Sequence, residues 1–254
     1  MPSVVILGAA GFVGAQAARI IVGDFSDFEK IKTASKEHDF VINAGNSFTR
    51  DAVTAIIAGL TERPSASKGK LIHISGGGNF IDFEDIKSTT KGMFNGKSDT
   101  TVLETGTEGP VETYIVCPSV VYGGASVASL TKGLVTGNAK PLGYVPYVDE
   151  GTAVLNTPGA AEGRTYSHYQ MLETSNVTSK DMVAELAKVM HSRRIFSSSE
   201  PKSVLFEQAG EGEVKHLVAA NMIVEGPRAA ALGFKPKQPS IFTEIHYHLK
   251  DVRI

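Results

Sequence analysis

Three glycines, Gly8, Gly11 and Gly14, follow the apolar run Val4–Leu7 and lead into an alanine-rich helical stretch. A strand, a glycine turn and a helix start together form a phosphate-binding device. Gly8 permits the tight turn, Gly11 lets backbone approach a pyrophosphate, and Gly14 lets the helix pack close to the strand. The unpaired N–H groups at that helix start, and the positive end of its dipole, then face the anion. The chemistry expected here is retention of a pyrophosphate-bearing ligand, the alternative being a strand-to-helix turn with no ligand. Val4–Leu7 is accordingly expected to be a strand buried on both faces.

Other residues offer weaker chemistry. Gly92–Ser98 (GMFNGKS) is one residue short of the triphosphate loop G-x-x-x-x-G-K-[ST], and no buried strand feeds into it. That spacing sets how backbone N–H groups wrap phosphates, so the segment reads as a loop. His246 and His248 flank Tyr247 without a third ligand in view and read as a surface pair rather than a metal site. His73, in LIHIS, reads as a packed core residue. Asp82, Glu84 and Asp85 read as a solvated acidic loop. The single cysteine, Cys117, excludes an internal disulfide and a cysteine-based zinc site, and sits in an apolar run where a buried inert thiol is the default. No metal site is expected.

The elements that must position the glycine loop alternate between strand and helix along the chain, which argues for a parallel sheet with crossover helices. Strands are expected at Val4–Leu7, Phe40–Asn43, Lys70–Ser75 and Thr113–Cys117. Helices are expected at Arg50–Arg63, with an apolar stripe of Ala52, Val53, Ile56, Ile57 and Leu60, and at Asp181–His191, Glu213–Val224 and Pro227–Leu232. Thr178 and Asp181 have the spacing of a capping box, and Gly233 followed by Pro236 marks a helix stop. The 254 residues suffice for one large core with a small second lobe. A net charge of −2 and a pI near 6.4 argue against non-specific binding to nucleic acid or anionic membrane. Neither a secretory leader nor a bilayer-spanning run is evident, and the bulk reading is a soluble, cytoplasmic α/β protein.

Five segments, taken in order, resemble the short-chain dehydrogenase/reductase superfamily in its extended and atypical members. GAAGFVG resembles the glycine loop, and Val41–Gly45 (VINAG) the fourth strand with its Asn-Ala-Gly turn. Leu71–Gly76 (LIHISG) resembles the fifth strand ending in the superfamily's serine. Val116–Gly123 (VCPSVVYG) resembles the Pro-x-x-x-Tyr-Gly turn, and Arg228–Pro236 (RAAALGFKP) the C-terminal Leu-Gly-aromatic-x-Pro signature. The likeness looks closest to fungal NmrA-like or epimerase/dehydratase-type proteins. It implies a doubly wound, Rossmann-like sheet with a dinucleotide-binding domain over residues 1–137. A small C-terminal lobe over 138–254 is implied to interleave with the last sheet elements. It implies NAD or NADP as cofactor, held by Gly8, Ala10, Gly11, Phe12, Val13, Gly14, Asn43, Ala44 and Gly45. Asp24 and Phe25 are implied beside the adenine, and Pro118, Val120 and Tyr122 toward the nicotinamide.

Measured against that family, the chain is short in three places. A full βαβ unit needs roughly 30 residues, yet only Ala15–Val22 separates Gly14 from the Gly-Asp turn at Asp24, about 12 Å of helix. The segment reads as the family's first helix joined to the end of its third strand, the second strand being absent. The competing reading makes Ile20–Gly23 a second strand, with Ala15–Arg19 too short to cross the sheet. Without the usual acidic or basic residue beyond the glycine loop, the choice between NAD and NADP stays open. Around Tyr147–Leu155 the family's strand-to-helix junction is replaced by Glu150-Gly151.

The third gap is catalytic. The family's Tyr-x-x-x-Lys pair is missing: none of the seven tyrosines has lysine four residues on, and Asp99–Glu108, where that helix belongs, contains neither residue type. Ser75 has two readings, a catalytic hydroxyl or a strand-end cap. Two functions follow from the resemblance. One is a dinucleotide-binding relative of oxidoreductases and epimerases with weak or lost hydride transfer to a small carbonyl, alcohol or sugar nucleotide. The other is a non-enzymatic, dinucleotide-responsive regulator acting through a protein partner.

Overall fold

In the computed structural model the described residues are 2–8, 21–64, 67–76, 96–109, 111–118, 139–152, 169–172, 177–210, 219, 226–235 and 240–249. They divide into two compact units. The first comprises Met1–Pro118, Gly159–Leu172 and Gly226–Leu232; the second, Ser119–Pro158, Glu173–Glu225 and Gly233–Ile254.

The first unit is built on strands β1 (Val4–Leu7), β2 (Phe40–Asn43), β3 (Lys70–Ile74), β4 (Glu112–Pro118) and β6 (Tyr169–Leu172). They form one parallel sheet in the order β1-β2-β3-β4-β6. Helix α1 (Phe28–Glu37) precedes β2, α2 (Arg50–Thr61) joins β2 to β3, and α3 (Gly96–Glu108) precedes β4. This is the parallel sheet with crossover helices that the alternating pattern predicts, in the Rossmann-like arrangement that the resemblance implies. Its strand order follows chain order, so among the described residues β1 is an edge and only one winding of the sheet is present. Ile21–Gly23 is exposed and forms no strand. The competing second-strand reading of Ile20–Gly23 therefore fails over those three residues; Ile20 lies outside the described residues.

Edge position also corrects the expected double burial of Val4–Leu7. Val4 is 47% exposed, and none of the four residues is fully covered. In β3 and β4 burial alternates strictly, with Leu71, His73, Thr113, Ile115 and Cys117 on the buried face. Their partners on the other face are only half-buried. Covering that buried face is α3, seated tightly because Gly106 has no side chain: a Cβ there would lie 2.0 Å from Thr113 Oγ1. Thr113 Oγ1 in turn donates to Val102 O at 2.9 Å, satisfying a helix carbonyl.

The amino-terminal edge is pinned by one carboxylate. Asp39 Oδ2 accepts from Ser3 N–H at 2.7 Å and Ser3 Oγ at 3.0 Å, while Oδ1 accepts from Arg63 Nη2 at 2.6 Å. Arg63 also donates to Lys36 O and His38 O, covering carbonyls at the end of α1. The Ser3 donors, foremost its backbone N–H, together with Arg63 hold the Asp39 carboxyl below its ordinary value of 3.8. A depressed folded-state value stabilises the fold above the unfolded value and is lost as pH falls through the folded one. Urea unfolding of the native chain and Asp39→Asn should therefore show an advantage for Asp39 at pH 7 that shrinks below about pH 4. An advantage unchanged down to pH 2 would contradict this.

The second unit centres on α4 (Ser179–Ser192) and α6 (Ile241–Leu249), which pack through Met182, Leu186, Met190, Ile245 and Leu249. Strands β5 (Pro146–Val148) and β7 (Lys202–Val204) form a separate parallel pair. Thr178 caps α4 as its spacing predicts: Oγ1 accepts from Asp181 N at 3.0 Å and donates to Asp181 Oδ2 at 2.6 Å. After β5 the chain turns at Asp149–Gly151, where Gly151 has φ +68°, and Gly151 O accepts from Lys180 N–H. Helix α5 (Pro227–Ala231) packs beside β6 within the first unit, and the chain leaves it through Gly233 at φ +91°, the stop expected there. The helix expected at Glu213–Val224 lies almost wholly outside the described residues.

Candidate active site at the carboxyl ends of the strands

In an open parallel sheet, ligands bind in the crevice beyond the carboxyl ends of the strands, where loops diverge. Two groups of residues meet at these ends, and only some of them were expected site residues. The first is a backbone cradle. Gly8 ends β1 with φ +79°, and a Cβ on it would lie 2.3 Å from Gly45 Cα. Ala44 N–H donates to Leu7 O at 3.0 Å, extending the β1–β2 pairing past the strand end. On the other side of Gly45 sits the Phe25 ring; a Cβ there would meet Phe25 Cζ at 2.1 Å. Gly8, Phe25, Ala44 and Gly45 thus come together from three separate segments.

Asp24 is nearby in sequence but occupied locally. Its Oδ1 accepts from Ser26 N–H at 2.9 Å and from Ser26 Oγ at 2.8 Å, contacts that hold its carboxyl below the ordinary range. It shapes the turn before α1. Pro118 closes β4, paired with Leu172. Ala10, Gly11, Phe12, Val13, Gly14, Val120 and Tyr122 lie outside the described residues, as do Asp82, Glu84 and Asp85.

The second group is a chain of polar side chains on the buried face. Asn43 and His73 are register partners at the ends of β2 and β3. Asn43 Nδ2 and His73 Nδ1 are hydrogen-bonded at 3.0 Å. His73 Nε2 stands 3.4 Å from Asp99 Oδ1, within ion-pair reach but not aligned as a hydrogen bond. Ser75, one residue past β3, donates from Oγ to Asp99 Oδ2 at 2.7 Å. Its N–H continues the ladder to Val116 O. Asp99 and His73 are fully buried and Asn43 nearly so, while Ser75 is 7% exposed. A buried carboxyl group requires hydrogen-bond partners, and here Ser75 supplies one.

Asn43 therefore turns its side-chain amide into the fold, and His73 is a core residue, as its apolar setting predicts, but also a link in this chain. Sequence reasoning passed over Asp99, noting it only as the start of a helix without tyrosine or lysine. An acidic residue in the first turn of the helix after a serine-ended strand was the available signal. Cys117 is buried, as expected of an inert thiol. His246 lies on α6, where its Nε2 meets Glu185 Oε2 at 2.9 Å, an exposed interhelical pair. Among the described residues there is no group of three or more His, Cys, Asp or Glu placed to hold a metal ion. Nor is any helix among them long and apolar enough to cross a membrane.

The class defined by this architecture is the Rossmann-like parallel α/β fold. Several solved structures share this fold. The dTDP-glucose 4,6-dehydratase of Bacillus anthracis, in complex with NAD, superposes with a TM-score of 0.66 at 11% identity. That match covers 99% of this chain and 97% of the dehydratase. The UDP-glucuronic acid 4-epimerase of Bacillus cereus, in complex with UDP-glucuronic acid and NAD, gives 0.57 at 10% identity over 88% of this chain and 77% of the epimerase. RMD from Pseudomonas aeruginosa, complexed with NADPH, gives 0.59 at 12% identity, covering 99% and 98%. No protein-family model matches the sequence, and no curated protein matches it significantly. At these identities the likeness is one of fold.

Proposed function

We propose that this chain binds a nicotinamide dinucleotide and is a relative of sugar-nucleotide epimerases and dehydratases in which the usual tyrosine–lysine pair has been lost. The observation that carries this reading is the cradle of Gly8, Phe25 and Gly45 at the carboxyl ends of β1 and β2. It is supported by near-complete overlap with an NAD-complexed dehydratase. The residues present fit the group. Gly8 adopts the left-handed turn that the loop motif requires, and no side chain projects from Gly8 or Gly45 into the crevice. Gly11 and Gly14, with Ala10, Phe12 and Val13, would complete the pyrophosphate contact through the helix start. Phe25 would flank the adenine. Asn43 and Ala44 would contribute backbone, and Pro118, Val120 and Tyr122 would border the nicotinamide end.

When bound, the dinucleotide supplies hydride acceptance or donation. The chain's own residues would hold it and present Ser75 to a substrate oxygen. A small carbonyl, an alcohol or a sugar nucleotide is the substrate class. The protein is proposed to act in the cytoplasm.

A second reading, a dinucleotide-responsive regulator of protein partners, is favoured by one observation: α3 carries no tyrosine to complete the acid–base set. Thermal unfolding with and without NAD⁺, NADH, NADP⁺ or NADPH tests the shared premise. At a hundredfold excess over the dissociation constant, one of them should stabilise the native state by about 2.7 kcal/mol. A cooperative transition that none of the four moves would sink both readings. Given binding, turnover of a sugar nucleotide separates enzyme from regulator.

A further inference from the structure

The two nicotinamide dinucleotides differ in one group, a phosphate on the adenosine ribose that carries a charge of about −1.5 to −2 at pH 7. We propose that Asp24 makes the cradle selective for NAD(H) over NADP(H), by fixing a negative charge at its adenosine rim. The inference rests on the dinucleotide-binding reading above and names which dinucleotide that site takes.

Phe25 sets where that charge stands. A Cβ on Gly45 would meet the Phe25 ring at 2.1 Å on one side and Gly8 Cα at 3.1 Å on the other. The turn that carries Phe25 is therefore seated against the cradle, and Asp24 is its neighbouring residue. The turn is closed by Asp27 N–H donating to Asp24 O at 3.1 Å and by Asp24 N–H donating to Asp27 Oδ2 at 2.9 Å. Ser26 then pins the Asp24 side chain, its N–H and its hydroxyl both donating to Oδ1. These donors, foremost the Ser26 N–H, hold the carboxyl below its ordinary value of 3.8, so the charge is present throughout the neutral range.

The local charge balance has the same sign. Residues 24–30 carry three carboxylates, Asp24, Asp27 and Glu29, against one ammonium, Lys30. Lys30 is committed elsewhere: its Nζ lies 3.1 Å from Asp27 Oδ2 and donates to Val22 O at 3.2 Å. Asp24 is answered by the Ser26 dipoles, which stabilise a charge without cancelling it. A ribose phosphate would thus meet a carboxylate where NADP-binding loops offer a basic residue. A ribose hydroxyl carries no charge and meets no such repulsion. Exposed charges act through water over about one Debye length, about 10 Å at 0.1 M salt and about 3 Å at 1 M. Selectivity of this origin fades with salt, whereas selectivity from a pocket too small for the phosphate does not.

The test is isothermal titration calorimetry of the full chain with NAD⁺ and NADP⁺, at about 0.02 M and about 0.5 M salt. Three variants accompany it: Asp24→Asn, Asp24→Ser and Glu37→Gln. Asparagine keeps an oxygen to accept from Ser26, and serine gives a second neutral replacement should asparagine disturb the turn. Glu37→Gln makes the same change in net charge at the far end of α1. At low salt the native chain should bind NAD⁺ about 3–10-fold more tightly than NADP⁺. Both Asp24 variants should narrow that ratio, chiefly through tighter NADP⁺ binding, and Glu37→Gln should leave it at the native value. High salt should narrow the native ratio and move that of Asp24→Asn much less. Equal or tighter binding of NADP⁺ by the native chain overturns the inference and leaves the binding reading standing. So does a ratio unchanged in both Asp24 variants, or one that persists undiminished at high salt. Binding of neither dinucleotide overturns the binding reading and this inference with it.

Discussion

Gly8→Ala is expected to destabilise the protein by about 3–5 kcal/mol and to abolish the dinucleotide-induced thermal shift. Two costs add at this position. A residue with a side chain in the left-handed region, here φ +79°, costs of order 1–2 kcal/mol. The new Cβ would also fall 2.3 Å from Gly45 Cα and 2.6 Å from Gly45 N. Both are backbone atoms held by the Ala44–Leu7 hydrogen bond, so relief requires prising β1 from β2 at the end that forms the cradle. Denaturant unfolding gives the stability, and the thermal shift gives the binding. A variant within 1 kcal/mol of the native chain would show that the Gly8–Gly45 approach is not what holds these strand ends together. At Gly45 the same substitution meets the Phe25 ring, the far end of a side chain that can swing aside, so its cost should be distinctly smaller.

Gly59→Ala is the second large effect, and here two principles oppose each other. Inside α2, replacing glycine by alanine should by helix propensity alone stabilise by about 1 kcal/mol. The structure reverses the sign. A Cβ at Gly59 would lie 2.1 Å from Lys32 O and 2.9 Å from Ser35 Cβ, because α1 and α2 cross at this point. Lys32 O belongs to a helix backbone and has no rotamer to escape into. The helices must separate, uncovering Ile31, Ser35, Ile56 and Leu60, all buried. Overpacking of this kind costs about 1–3 kcal/mol, occasionally more, so a net loss of about 2 kcal/mol is expected by urea unfolding. A gain in stability would mean that α1 can slide without penalty.

Much of the fold was legible because its signals are local. Val4–Leu7 and Phe40–Asn43 are strands with the bounds their apolar runs predict, and α2 follows its stripe from Arg50. The Thr178–Asp181 cap and the Gly233 stop depend on hydrogen bonds and torsions within a few residues, so spacing suffices to find them. The shortness of the chain between Gly14 and Asp24 likewise argued against a second strand there, and Ile21–Gly23 forms none. That is a length argument, and chain length is read directly from sequence.

Burial and convergence were a different matter. Whether Val4–Leu7 is covered depends on what lies beyond β1, and an apolar run reads the same at an edge as in a sheet interior. The chain alone established the glycine loop, the alternating strands and helices, and the want of a tyrosine–lysine pair. Only the tertiary structure brought Asp99 to Ser75 across 24 residues, and Asn43 to His73 across 30. Parallel register sets one pairing, and the close seat of α3 over Gly106 sets the other. Neither leaves a trace in local spacing, because a side chain's partner in a parallel sheet is chosen by the crossover and not by its neighbours along the chain.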